Sequence, residues 1–211
     1  MPVVAVVNPK GGVGKTTLAT NLAGYFAGSG RRTMLGDFDR QQSSVHWLRL
    51  RPEALPAIET WAMDGRVARP PKGVTHVVLD TPAQIDARRL ADVVRVADRI
   101  VVPLQPSMFD VLATGAFLEN LRKAFRSPGE YRETVAVVGM RVDPRTHSAE
   151  QLGRFVETLE LPVAGMLRDT QNYLHLAAHG LTLFDVPNQR VEKDLATWRP
   201  LLDWVEGRSG R

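Results

Sequence analysis

Lysine, glycine and threonine stand together in Lys10-Gly11-Gly12-Val13-Gly14-Lys15-Thr16-Thr17, and residues of these types at this spacing handle phosphate. Glycines let a backbone wrap an anion without Cβ clashes. The N–H groups of such a loop, and of a helix that starts within it, present positive potential to the anion. Lys15 would reach the outer phosphates of a nucleoside triphosphate, and the Thr16 hydroxyl would ligate Mg²⁺. Acidic residues suited to that metal follow further on. Asp80 closes the apolar run Val77-Val78-Leu79, and a carboxylate at the end of a buried strand binds Mg²⁺ directly or through water. Asp37 and Asp39, two residues apart at another strand end, can both turn into the same pocket. A blander role for this pair is to cap a helix that begins near Gln42-Ser43-Ser44. No second chemistry competes. The five histidines make no metal-spaced cluster; His175 and His179 lie four apart, at zinc-binding spacing on a helix, and read as a surface pair. The chain has no cysteine, which excludes disulfides, thiolate metal sites and cysteine-held iron–sulfur clusters.

Apolar runs and helical patterns alternate in an order that would place these residues. Val3–Val7 reads as a buried strand opening into the glycine loop. From Thr16 to about Ala27 the spacing is helical, and Gly28-Ser29-Gly30 stops it. Thr33–Leu35 leads into Asp37, and Val74–Leu79 into Asp80. Ile100–Leu104 and Val135–Met140 are further buried strands, and Val163–Met166 is strand-like. Helices are clearest at about Asp110–Phe125, Glu150–Leu159 and Val191–Val205, the last expected to kink or restart at Pro200. This order predicts an α/β fold: a doubly wound, mostly parallel sheet with helices on both faces. One domain is expected over residues 1–211, with the tail 206–211 frayed and no further domain ahead of Val3. The segment from about Arg49 to Gly73, rich in proline and arginine, reads as a loop-rich insertion.

Apolar residues make up 44% and charged residues 24% of the 211, an ordinary balance for a globular chain. No apolar run approaches the ~20 residues of a membrane-spanning helix. The segment Met1–Val7 is too short for a signal peptide, so a cytoplasmic location is expected. The net charge is +4, and of the 27 basic residues only Lys10, Lys15, Lys72, Lys123 and Lys193 are lysines. Arginine suits phosphate contacts through its planar fork. Such a balance fits a polyanion partner, and fits equally a scatter of solvated arginines.

Lys10 departs from the general phosphate loop, which demands no lysine there. With it, the chain resembles the ParA/MinD family of ATPases over nearly its whole length, closest to small ParA-type members without an N-terminal helix-turn-helix domain. The resemblance implies ATP and Mg²⁺ as cofactors, with Gly11 to Thr17 around the phosphates and Thr16, Asp37 and Asp80 serving the metal. It implies that Asp39 orients the attacking water and that Lys10 reaches across a homodimer to the partner's nucleotide, as an arginine finger does. Asp80-Thr81-Pro82 would form a switch that senses the γ-phosphate. Where members have Asp-x-Asp-Pro-Gln this chain has Asp37-Phe38-Asp39-Arg40-Gln41. Adenine contacts would come from Arg141 and from Asp185-Val186-Pro187-Asn188, above all Pro187. The ATP dimer would bind nonspecific double-stranded DNA through Arg168, Arg190 and the group Arg122, Lys123 and Arg126, and would associate with the nucleoid. A ParB-like or cargo adaptor would stimulate hydrolysis, and no membrane is expected. Two alternatives stay open. A MinD-like ATPase on a membrane surface would need a basic amphipathic C-terminal helix, whereas Asp194, Asp203 and Glu206 interrupt this one, which reads as packed on the domain. A metabolic ligase is not expected to carry Lys10.

Overall fold

A computed structural model describes residues 1–39, 41–62 and 72–208. Seven strands form one sheet: β1 (Val3–Val6), β2 (Thr33–Asp37), β3 (Ile58–Ala62), β4 (His76–Asp80), β5 (Arg99–Leu104), β6 (Val135–Val142) and β7 (Val163–Arg168). Their order is β3-β2-β4-β1-β5-β6-β7, and every neighbouring pair is parallel. All strands therefore end on one edge. There Asp37 of β2 lies in register with Asp80 of β4, and Val6 of β1 lies beside Asp80 on its other side.

Parallel strands are covered on both faces, so their residues are apolar whichever way they point. Val4 and Val6 face one core, which also takes Leu35, Val78, Val101 and Val138. Helices α1 (Lys15–Gly28), α2 (Ser43–Leu50) and α8 (Asn188–Val205) supply that face with Leu18, Leu22, Phe26, Trp47 and Trp198. Val3, Ala5 and Val7 face the other core with Met34, Leu79 and Val102. Helices α3 (Ala87–Val96), α4 (Met108–Arg122), α5 (Pro128–Thr134) and α6 (His147–Thr158) close it. A short helix α7 (Asn172–Ala177) and a 3₁₀ turn (Leu183–Asp185) lead into α8.

Among the described residues, α3, α5 and α6 carry side-chain N-caps: Asp86 accepts from the Arg89 N–H, Ser127 from Glu130, and Thr146 from Ala149. Helix α1, like α2, α4, α7 and α8, has none. Gly14 stands at its N-cap with φ 100°, and no side chain caps it. The N–H groups of its first turn are left for another acceptor.

Several expectations change. The expected loop Arg49–Gly73 contains the end of α2 and the edge strand β3, where Thr60 Oγ1 donates to the Leu35 carbonyl at 2.9 Å. Flanking prolines and arginines masked this short strand; Arg66, Arg69, Pro70 and Pro71 lie outside the described residues. Helix α8 runs through Pro200 without a break, and its one non-helical residue is Val191 at φ −127°. Of the tail 206–211 expected to fray, Glu206, Gly207 and Arg208 each donate a backbone bond to the last turns of α8, and residues 209–211 lie outside the described residues. Arg51 makes two 2.8 Å bonds to Asp185, which ties the end of α2 to the turn before α8.

Candidate functional site

The loop between β1 and α1 is held from behind. Asn8 is fully buried; its Nδ2 donates to the Pro103 carbonyl (2.7 Å) and to Thr114 Oγ1 (3.1 Å), and its Oδ1 accepts the Lys10 N–H at 2.8 Å. Gln105 Nε2 donates to the Gly12 carbonyl at 3.0 Å. Gly12 (φ 73°) and Gly14 (φ 100°) take left-handed conformations that L side chains rarely adopt. A Cβ at Gly14 would stand 2.7 Å from Met140 Cε, so the loop rests directly on β6. Lys15 is buried, and its Nζ donates to the Lys10 carbonyl at 2.7 Å, curled under the loop where a phosphate would sit. Burial lowers the pKa of the Lys15 ammonium, while Asp80 and Asp39 oppose that shift.

Asp80 lies at the centre. Its Oδ2 accepts from Thr16 Oγ1 (2.8 Å) and Ser44 Oγ (2.5 Å). Its Oδ1 is buried with no hydrogen-bond partner. Burial pushes the carboxyl up to about 6, against the two hydroxyl bonds and Lys15. An orphaned carboxylate oxygen beside a threonine hydroxyl fits a divalent cation, which would satisfy that oxygen and favour the ionised form. Asp37 is placed otherwise. Its Oδ1 accepts the Asp39 N–H at 2.8 Å and its Oδ2 the Ser44 N–H at 2.9 Å. The capping alternative therefore describes Asp37, which clamps the start of α2; burial raises its pKa despite these backbone bonds. Asp39 lines a cavity of 820 Å³ together with Gly11, Gly12, Gly14, Lys15, Thr16, Thr17, Thr81 and Pro82. Thr81 Oγ1 donates to the Val6 carbonyl, which fixes that segment to β1.

Arg141 also lines this cavity, at φ 52° where the β6–β7 register shifts. Pro187, at the N-cap of α8, is exposed and does not line it. Asp185 is engaged with Arg51 and Thr182. The basic residues expected on one DNA face are separated. Arg168 ends β7 and Arg190 opens α8, both at the edge where the strands end. Arg122 ends α4, about 22 Å down a 15-residue helix, and Lys123 and Arg126 follow it. Arg168 is also not free: its guanidinium lies 3.2 Å from Asp194, a buried carboxylate. The apolar residues of α8, including Trp198, Leu201, Leu202 and Val205, belong to the core, as expected of a helix packed on the domain. Among the described residues no helix is long and apolar enough to cross a membrane, and no cluster of three His, Cys, Asp or Glu could hold a metal.

Asn8, Ser44, Gln105 and Met140 were not singled out from sequence. Each acts through a partner distant in the chain; the only local hint is Asn8, set just before the loop.

Residues 4–183 match the CobQ/CobB/MinD/ParA nucleotide binding domain. The chain is 38% identical over 209 residues to Maintenance of carboxysome distribution protein A of Gloeobacter kilaueensis, covering 97% of this chain and 94% of that one. It is 28% identical over 182 residues to Chromosome-partitioning ATPase Soj of Thermus thermophilus, covering 71% and 73%. A solved plasmid partition protein of Borrelia burgdorferi, described as putative and bound to AMPPNP, superposes with a TM-score of 0.73 at 14% identity, over 98% of this chain and 99% of that one. That likeness bears on the fold; the first two bear on descent. By the family match over residues 4–183 and the near full-length relative at 38% identity, the chain belongs to the CobQ/CobB/MinD/ParA family of nucleotide-binding proteins.

Proposed function

We propose that this protein is a Mg²⁺-dependent ATPase of ParA type, which dimerises face to face when it holds ATP and positions a cargo over nonspecific DNA. The observation that carries the reading is the near full-length likeness to a carboxysome-distribution protein, joined to a loop that keeps both Lys10 and Lys15. Gly11 to Thr17 hold the phosphates through backbone N–H groups, and Lys15 swings from the Lys10 carbonyl onto phosphate oxygen. Mg²⁺, held by the Thr16 hydroxyl and the Asp80 carboxylate, would draw charge from the phosphates. Asp39 orients the attacking water, Asp37 holds Asp39 through its backbone N–H, and Thr81-Pro82 lies where a γ-phosphate is sensed. Lys10 completes the partner's site.

The positioned object is a protein-bound body, a plasmid or a chromosome region, and an adaptor that stimulates hydrolysis releases the dimer from DNA. A dimer doubles the phosphate contacts, so DNA affinity rises with ATP and falls steeply with salt. The test is binding to a nonspecific duplex without nucleotide, with ADP and with ATP, at two salt concentrations. ATP-dependent, salt-sensitive binding that Arg190→Glu weakens is expected. Arg190 is the cleaner probe, because Arg168→Glu would set a second carboxylate against Asp194. Absence of DNA binding in every nucleotide state would refute the DNA reading, and leave the ATPase to be sought at another surface.

A further inference from the structure

Lys10 does not extend into solvent. Its ammonium lies 2.7 Å from Asp110 Oδ2, in the first turn of α4. The lysine side chain is 38% exposed and the aspartate 6%, so the carboxylate is the buried member of the pair. This bridge is one of several ties between the same two segments. Asn8 reaches Pro103 and Thr114, and Gln105 reaches Gly12, so the phosphate loop is stitched to the end of β5 and the start of α4. The same end of α4 exposes three large apolar side chains: Met108, Phe109 (79%) and Leu112 (63%).

We propose that Asp110 is a positioning residue for Lys10, holding its ammonium on its own subunit until a second copy carrying a nucleoside triphosphate competes for it. This rests on the trans-lysine reading above. Donating Lys10 across a dimer breaks the bridge and leaves a buried carboxylate without its cation, a costly state unless the exchange gains more charge than it gives up. A triphosphate on the partner offers that charge; a diphosphate, lacking the γ group, offers less. The Lys10–Asp110 bridge thus sets a threshold that dimerisation must exceed, and it opposes pairing when ADP or no nucleotide is bound. The exposed Met108, Phe109 and Leu112 flank the bridge, and a second copy that receives Lys10 covers them.

The test is sedimentation velocity over a range of protein concentrations, without nucleotide, with ADP and with a nonhydrolysable ATP analogue. Asp110→Asn keeps the shape and removes the charge. Its dimer midpoint with the analogue is expected to fall about tenfold for each bridge released, and up to about a hundredfold for the two in a dimer, where tenfold is ~1.4 kcal/mol. Asp110→Glu, which keeps the charge, stays within a few-fold of the unsubstituted protein; a residue of purely structural importance would give weaker dimers in both. A second readout needs no variant. Carbodiimide should link Lys10 to Asp110 in the nucleotide-free protein, seen by peptide mapping, and the analogue should suppress that link at dimer-forming concentration. An unchanged or raised midpoint in folded Asp110→Asn overturns the proposal. So does an undiminished cross-link in the analogue-bound dimer, which decides the matter should Asp110→Asn not fold. If the unsubstituted protein forms no dimer with the analogue, the trans-lysine reading fails and this proposal fails with it.

Discussion

Asp80 holds a charge almost wholly out of water, and its surroundings settle what that charge does. Burial lifts its pKa to about 6 in the folded chain, against roughly 3.9 when unfolded. Folding therefore takes up a proton between those values. The stability that comes from the protonated form is complete below about pH 4 and is lost as pH rises through about 6. Asp80→Asn is expected to flatten that fall and to raise the unfolding midpoint of nucleotide-free protein at pH 7.5 by about 4–12 °C, from ~2–3 kcal/mol at 2–4 °C each. The same change removes the carboxylate proposed to hold Mg²⁺, so the proposed Mg²⁺-dependent hydrolysis should collapse. A thermal scan at pH 4 to 8 with a phosphate-release assay checks both halves, and a lowered midpoint at pH 7.5 would count against a desolvated charge. Lys15 is the second residue with a clear consequence. Lys15→Ala removes the cation proposed to reach the phosphates, and a charged hydrogen bond of about 1.5–3 kcal/mol predicts ATP binding weaker by roughly 10- to 150-fold in calorimetry. Unaltered affinity would mean that the loop binds something else.

At the scale of elements, the decisive feature is how tightly the glycine loop rests on β6. Gly14 combines φ 100° with a Cβ direction that ends 2.7 Å from Met140 Cε. Gly14→Ala therefore meets two obstacles, and only one of them is the methionine. Met140→Ala opens space but leaves the backbone strain of about 1–3 kcal/mol. The double variant is expected to regain part of the lost thermal stability and none of the nucleotide binding. Full recovery of binding would show that the contact, not the backbone conformation, governs this position. Helix α2 is coupled to the same site through Ser44, whose hydroxyl and N–H reach Asp80 and Asp37. A shift of α2 therefore moves two of the three carboxylates' partners together.

Across the whole molecule, the ion pair Arg51–Asp185 joins segments 134 residues apart. Both side chains are at least 95% buried. Burial alone would raise the Asp185 pKa, but the bonds from Arg51 and Thr182 outweigh it and leave the carboxyl below its usual range. Its contribution to stability is thus present above the unfolded value near 3.9 and is lost as pH falls through the depressed folded one. Arg51→Ala leaves that carboxylate buried and unpaired, a loss of roughly 3–5 kcal/mol, or about 6–20 °C in the unfolding midpoint for a chain of this size. A drop under 2 °C in differential scanning calorimetry would show that water reaches Asp185 once the arginine is gone.

Much of the architecture was legible in the chain itself, because local patterns wrote it. Buried strands such as Val3–Val6 and Val77-Val78-Leu79 are apolar on both faces, as a parallel sheet covered on both sides demands. The glycine loop was legible for a similar reason, since its residue types and its place between strand and helix carry the chemistry within eight consecutive positions. Strand β3 was not, being short and set among prolines and arginines. Nor could spacing divide labour between Asp37 and Asp39. It is the tertiary structure that turns Asp37 onto the N–H groups of Asp39 and Ser44, places Asp39 in the cavity lining and leaves Asp80 Oδ1 without a partner. Arg168 and Arg122 look alike in sequence, yet topology puts one beside a buried Asp194 at the strand ends and the other at the far end of α4. The glycine loop with Lys10 and Lys15 could be read from the sequence, because that pattern is local to eight consecutive residues. The fold alone decided where each remaining charge is neutralised, because those partners lie tens to more than a hundred residues away and meet only when the sheet closes.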